Sequence, residues 1–415
     1  MPTETANSNL STGSTWKIPF WTFFTGQALS QVGSAVTQFI IMWWLTVETA
    51  SVTVLSTAGL FALLPQALLS PFGGVFADRY SRKFILIFTD TISALCVVFL
   101  MVALSYEMPD LWIIYSMLFV RSSMQAFQGP ASQASVENLV PASFISTAAG
   151  LNQSVLGLVS IASAPIGAVV LGTFPIHQSL WIDVITALIS VVSLLFIAIP
   201  QPKRLDQGDS HLWQDFKEGF LAVYSVVAYR RLFSVLAAVT VLVMPCFTLF
   251  TLLVTQHFNG GEKLAGAFGA LSGLGMLLGG LAVAFAKPEK KTKTLLVAWI
   301  ISCLSITLTA APSSDLVWIA LSAWFVSGFA FTFGNAPLTA LLQLKIPNHL
   351  QGRVFSLLNV LMGLSAPIGL AIVAPLGESV GIRYIMIILS LLAAAACLAG
   401  FASRSLKSLD QKEER

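Results

Sequence analysis

Apolar runs long enough to cross a bilayer recur along almost the whole chain, from Ile18 to Phe401. A helix needs roughly 20 mostly apolar residues to traverse the hydrocarbon layer. On that length the pattern predicts helices over 18–47, 52–76, 84–106, 111–131, 145–172 and 179–200. A second set follows over 230–256, 263–286, 294–311, 315–342, 353–376 and 380–402. Only 10% of the residues are charged and 56% are apolar, whereas soluble domains carry about a quarter charged residues. Water therefore cannot be the solvent for most of this surface. The fold class is an all-α membrane protein with 12 transmembrane helices. A single signal peptide or anchor accounts for one such run, not for a series. The stretch from Met1 to Trp16 is polar and rich in Ser, Thr and Asn, and reads as a lead outside the membrane.

The same residues exclude several chemistries. Cys96, Cys246, Cys303 and Cys397 lie singly in apolar runs, the pattern of small buried hydrophobes rather than of disulfides or metal ligands. His177, His211, His257 and His349 fall in or beside expected loops, so no metal site is expected. The net charge of +3 is scattered over short loops, which is no nucleic-acid signature. A membrane-embedded enzyme needs nucleophiles, metal ligands or several carboxylates converging at one depth, and the sequence offers none. ATP-driven pumping lacks its Gly-x-x-x-x-Gly-Lys-Ser/Thr loop.

Basic residues set the orientation. With both termini in the cytoplasm, all but three of the 22 Lys and Arg fall on that side; Lys263 and Arg383 fall outside, and Arg121 lies within a span. The longest interruption, 201–229, is charged, contains Pro202 and separates an N-terminal six-helix half (1–200) from a C-terminal one (230–415). Repetition relates the halves. Ser163-Ala164-Pro165-Ile166-Gly167 recurs as Ser365-Ala366-Pro367-Ile368-Gly369, and Gly73-Gly74 recurs as Gly279-Gly280. A near-constant shift of six spans gives both copies the same membrane orientation, the parallel repeat of a two-half transporter.

After the second span the chain reads Gly73-Gly74-Val75-Phe76-Ala77-Asp78-Arg79-Tyr80-Ser81-Arg82-Lys83. This resembles the signature loop of the major facilitator superfamily. The resemblance implies the major facilitator fold of two six-helix halves, with Asp78 latching the outward-open state against the start of the eleventh span near Gly352-Arg353. Arg79 and Arg82 also anchor the loop on the inner side. The second-half copy, Lys287 to Lys293, keeps the charge and lacks the Asp. Further segments resemble the macrolide-efflux branch: Gly26-Gln27-Ala28 through Trp43-Trp44-Leu45-Thr46, Leu118-Phe119-Val120-Arg121-Ser122, His257-Phe258-Asn259-Gly260, and Gly352-Arg353-Val354-Phe355-Ser356-Leu357. That resemblance implies a drug:proton antiporter of a bacterial inner membrane, driven by the proton gradient without a cofactor. It would act as a monomer in the lipid bilayer, with macrolides as leading cargo. Siderophore, lysophospholipid or nickel export on the same fold is the alternative. The fifth span departs from the antiporter pattern, reading Ala164-Pro165-Ile166-Gly167-Ala168 where Gly-Pro with flanking glycines is common.

Gln27, Gln31, Ser34 and Gln38 share one helical face, as do Arg121, Gln125, Gln128 and Ser132. Polar stripes at membrane depth must face protein or a wet cavity. The resemblance places the first, fourth, seventh and tenth spans around that cavity. The second half contributes Met244, Phe247 and Thr251, then Trp324, Ser327, Phe331 and Asn335. Aromatic and Met surface broken by a few polar groups suits a bulky amphipathic ligand. Each polar residue taken alone also fits interhelical hydrogen bonding. Arg121 sits about ten residues from either end of its span, where a lone cation costs ~2.5–3.5 kcal/mol or more. Its candidate partners are Asp90, Glu137 and Asp183, with Asp90 or Glu137 favoured as the group that exchanges a proton. A dry site tightens an acid's hold on its proton and a nearby cation loosens it.

Overall fold

Backbone immersed in hydrocarbon must satisfy its own hydrogen bonds, and helices do so within one segment. The computed structural model describes residues 16–106, 109–199, 212–286 and 288–410. Twelve long helices run through it. The first six are α1 (Lys17–Thr49), α2 (Val52–Arg79), α3 (Arg82–Tyr106), α4 (Leu111–Leu139), α5 (Ile145–Thr173) and α6 (Trp181–Leu195). The second six are α7 (Val227–Gln256), α8 (Glu262–Ala286), α9 (Lys291–Ala310), α10 (Val317–Lys345), α11 (Asn348–Val373) and α12 (Ile382–Ala402). Among the described residues eleven stretches are long and apolar enough to cross a membrane; α4 is the long helix not among them, because Arg121, Gln125, Gln128 and Glu137 dilute its hydropathy. The short ninth span is a full 20-residue helix, about 30 Å at 1.5 Å per residue.

Helix ends differ from the hydropathy reading where polar residues extend a helix beyond the apolar run. α4 continues to Leu139 rather than stopping near 131. The expected linker 201–229 contains a helix of its own, Leu212–Ser225, in which Phe220 stacks on Tyr224 at 5.6 Å; 200–211 lies outside the described residues. Pro65, Pro165, Pro245, Pro337 and Pro367 all sit inside continuous helices.

The chain divides into two compact units. One comprises Met1–Ile41 with Phe61–Ser210, the other Met42–Leu60 with His211–Arg415. The α1–α2 turn thus clusters with the second unit rather than with its own half. Three hydrogen bonds explain this. Thr46 Oγ1 and Thr251 Oγ1 pair at 2.8 Å, Gln256 Nε2 donates to Ala50 O at 2.6 Å, and Thr53 Oγ1 donates to Ala374 O at 2.9 Å.

Within each unit the repeat reappears as packing. A Cβ at Gly73 would strike the Ala126 carbonyl, joining α2 to α4; a Cβ at Gly279 would strike the Phe329 carbonyl, joining α8 to α10. Gly167 packs against the Phe39 ring of α1, and Gly369 against Val241 O and Pro245 of α7. The glycines let backbones meet where any side chain would hold them apart. Gly381, at φ 78°, turns the chain into α12 in a conformation other residues rarely adopt.

Candidate functional site

The first unit buries three charged side chains at the meeting of α1, α3, α4 and α6. Asp90 of α3 is 3% exposed. Its Oδ2 accepts from Ser190 Oγ at 2.7 Å and Gln27 Nε2 at 3.4 Å. Its Oδ1 accepts from Gln128 Nε2 at 2.6 Å and Ser30 Oγ at 3.3 Å. Gln27 Nε2 also donates to Ser190 Oγ at 2.8 Å. Among the described residues no basic side chain forms a salt bridge with Asp90. Four neutral donors around a carboxyl can serve either state: they solvate the anion, while hydroxyls rotate and amides present oxygen to accept from the acid.

Arg121 of α4 is held separately. Its Nη2 lies 2.9 Å from Asp183 Oδ2, and Ser34 Oγ donates to Asp183 Oδ1 at 2.9 Å. Arg121 and Asp183 are 4% and 2% exposed. The partner is therefore Asp183 rather than Asp90 or Glu137; Glu137 is exposed on the last turns of α4. Asp183 lies in the first turn of α6, and a separate one-turn helix, Ile176–Ser179, precedes it. Removing either member of a buried pair strands the other, at a cost of about 3–5 kcal/mol. Among the described residues the Arg121 Nη1 has no hydrogen-bond partner.

The remaining first-unit positions sort by environment. Gln31 borders a cavity of about 10 Å³ with Phe23, Phe24, Gln27 and Ser132, while Gln38 and Gln125 are half-buried. In the signature loop Arg82 donates to Ala77 O at 3.3 Å and Ala134 O at 2.6 Å, and Lys83 to Leu195 O at 3.0 Å and Ile197 O at 2.9 Å. Cations on the last carbonyls of α2 and α6 offset the negative ends of those helices. Arg79 is exposed, and the side chain of Asp78 lies outside the described residues.

The second unit answers with aromatic surface. Trp324 is 2% exposed and packs against Phe247 at 5.2 Å, Phe250 at 5.9 Å and Phe268 at 6.2 Å; Phe331 reaches Phe247 at 6.3 Å. Thr251 and Ser327 are buried with their hydroxyls engaged, the first by Thr46 and the second by Ser302 Oγ at 3.1 Å. Met244, Phe247, Phe331 and Asn335 are only half-buried. Sequence reasoning missed Ser30, Ser190, Phe250 and Phe268. Ser190 carried a usable signal, since it lies two turns after Asp183 on one face of α6.

Comparison with known proteins adds the family. Residues 23–370 match the model of the Major Facilitator Superfamily. The chain is 31% identical over 375 residues to macrolide efflux protein A of Streptococcus pyogenes, covering 89% of this chain and 92% of that one. It is 32% identical over 320 residues to macrolide efflux protein A of Enterococcus faecalis, covering 75% and 97%. A crystal structure of a variant of the nucleoside transporter NupG shares the fold with a TM-score of 0.75 at 14% identity, over 92% of this chain and 99% of that one.

Proposed function

The chain belongs to the major facilitator superfamily, and from that premise we propose that it exports macrolides or similar hydrophobic drugs in exchange for protons. The observation that carries the cargo is similarity at 31% identity over 89% of the chain to a protein named for macrolide efflux. Asp90 supports the coupling. It is a buried carboxyl with four neutral donors and no salt-bridge partner among the described residues, so its net charge changes outright when a proton arrives. Asp183 already balances Arg121. Alternating access lets Asp90 load a proton from the outer side and release it inward while the drug moves outward. Within the second unit the half-buried Phe247, Phe331 and Met244 offer apolar surface of the kind a hydrophobic drug needs, with Asn335 as a polar point beside them. The transporter works as a monomer in a bacterial inner membrane, both termini in the cytoplasm, and draws on the proton gradient alone.

Erythromycin accumulation in cells lacking their own pumps tests this reading. Wild type should lower accumulation, and a protonophore or Asp90→Asn should restore it to the level of empty cells. Accumulation unchanged by the wild type would remove macrolides as cargo. Export persisting with Asp90→Asn would remove Asp90 from the coupling.

A further inference from the structure

At the start of α9 the second unit holds a cavity of about 410 Å³ edged by Lys290, Lys293 and Lys407. Among the described residues none of these three ammonium groups has a hydrogen bond or an ion pair; Lys407 only lies over the Phe401 ring, at 5.6 Å. Thr292 also lines the cavity. It is 2% exposed, and its hydroxyl has no hydrogen-bond partner among the described residues. Among the described residues one carboxylate faces the same space. Asp410 accepts the Thr292 N–H at 2.7 Å and the Lys293 N–H at 3.0 Å, so it caps the helix, and its single negative charge stands against three lysines. Glu289 is exposed and is not part of the lining.

Lys293 belongs equally to a second space, an apolar groove of about 600 Å³ between α9 and α10. Val297 and Ile301 follow Lys293 at four-residue intervals along one wall, and Phe325, Phe329 and Phe333 form the other. Each wall runs for about 12 Å at 1.5 Å per residue. A free phosphate would use the lysines and leave the groove empty. A neutral lipid would fill the groove and leave the lysines and the Thr292 hydroxyl unused. A phosphodiester joined to acyl chains uses both.

We propose that the Lys290–Lys293–Lys407 cavity and the Phe325–Phe333 groove together form a binding site for one anionic phospholipid. The phosphate sits among the three lysines and accepts from the Thr292 hydroxyl, and an acyl chain lies along α9 and α10. Clustered lysines at the membrane edge are the expected receptor for an acidic headgroup. On the orientation proposed above the lipid comes from the cytoplasmic leaflet.

Native mass spectrometry of the purified full chain tests the site without any drug present. Phosphatidylglycerol and phosphatidylcholine of identical acyl chains are titrated in parallel. Wild type should retain phosphatidylglycerol at least about tenfold better, since each lysine near an acidic headgroup contributes roughly a fivefold factor. The K290Q/K293Q/K407Q variant should lose that preference, whereas K263Q should keep it. Matched elution and helicity show that the triple variant is folded; the three side chains are exposed and unbonded among the described residues. Equal retention of both lipids by wild type would overturn the proposal. So would an unchanged preference in the triple variant, or displacement of phosphatidylglycerol by millimolar inorganic phosphate.

Discussion

The two units are copies in layout and opposites in content. The first gathers Asp90, Arg121 and Asp183 between its helices. The register that carries Gly73 to Gly279 carries Asp90 to Leu296, and the register that carries Ser163 to Ser365 carries Asp183 to Ile385. Both counterparts are buried and apolar. Arg121 has its counterpart in the stretch around Trp324, the centre of the aromatic cluster. In its interior the second unit pairs neutral hydroxyls between helices: Thr240 with Ser365 at 2.7 Å, Ser302 with Ser327 at 3.1 Å, Thr307 with Ser390 at 2.7 Å. One repeat geometry therefore supports two solutions to burying polarity. A unit held by charges fails when one charge is left alone, and a unit held by hydroxyls and rings loses little at any one place.

The largest break in this contrast should come from the ion pair. Arg121→Leu leaves Asp183 with Ser34 as its remaining donor and should destabilise the protein by about 3–5 kcal/mol. The double variant Arg121→Leu/Asp183→Leu removes both charges and should regain most of that loss. Thermal unfolding in detergent, followed by intrinsic Trp fluorescence, reads both. Equal destabilisation by the single and double variants would mean that packing, not the stranded charge, sets the cost.

A second pair of substitutions tests the shared layout. Gly73→Val pushes against the Ala126 carbonyl and Gly279→Val against the Phe329 carbonyl. Backbone cannot yield as a flexible side chain does, so each should cost about 1–3 kcal/mol. The two values should agree within about 0.5 kcal/mol in the same unfolding measurement. A large inequality would show that the repeated glycines mark likeness of sequence without likeness of packing.

Much of this architecture was legible because hydropathy is a long-range signal. Twelve helices follow from twelve apolar runs, and the glycine pairs marked the repeat, whose partners the structure supplies as α4 for Gly73 and α10 for Gly279. Side-chain partners were less legible. Gln27 and Gln128 stood on the expected stripes, and both reach Asp90. Ser30 did not stand out, since a serine in an apolar helix can bond its own preceding carbonyl and needs no partner; Ser190 shared a face with Asp183, but its spacing did not tie it to Asp90. Asp183 stood among three candidate partners of Arg121, and only the tertiary contact singles it out. Thr251 and Ser327 were expected among the ligand contacts; in this structure their hydroxyls are engaged within the second unit. A stripe shows that a face is polar and leaves open which neighbour it serves. The acidic-lipid site was read in sequence only as a loop that kept its charge and lost its Asp. In the first unit Arg82 and Lys83 are bound to the helix-end carbonyls of Ala77 and Leu195, while Lys290 and Lys293 make no such bond among the described residues.

The smallest effect should lie where the second unit is most apolar. Thr240 and Ser365 are each 1% exposed, and their hydroxyls also bond the carbonyls of Leu236 and Leu361 one turn back. Thr240→Val removes one hydroxyl but leaves Ser365 its own carbonyl acceptor, so the loss should be about 1 kcal/mol. Ser365→Ala should behave alike, because Thr240 keeps Leu236. With both changed no hydroxyl remains to satisfy, and the double variant should cost less than the sum of the singles by about 0.5–1 kcal/mol. The same cycle on Arg121 and Asp183 should give a coupling several times larger. Equal couplings in the two units would remove the distinction between a charge-held and a hydroxyl-held half, and the repeat would then be one of energetics as well as of layout.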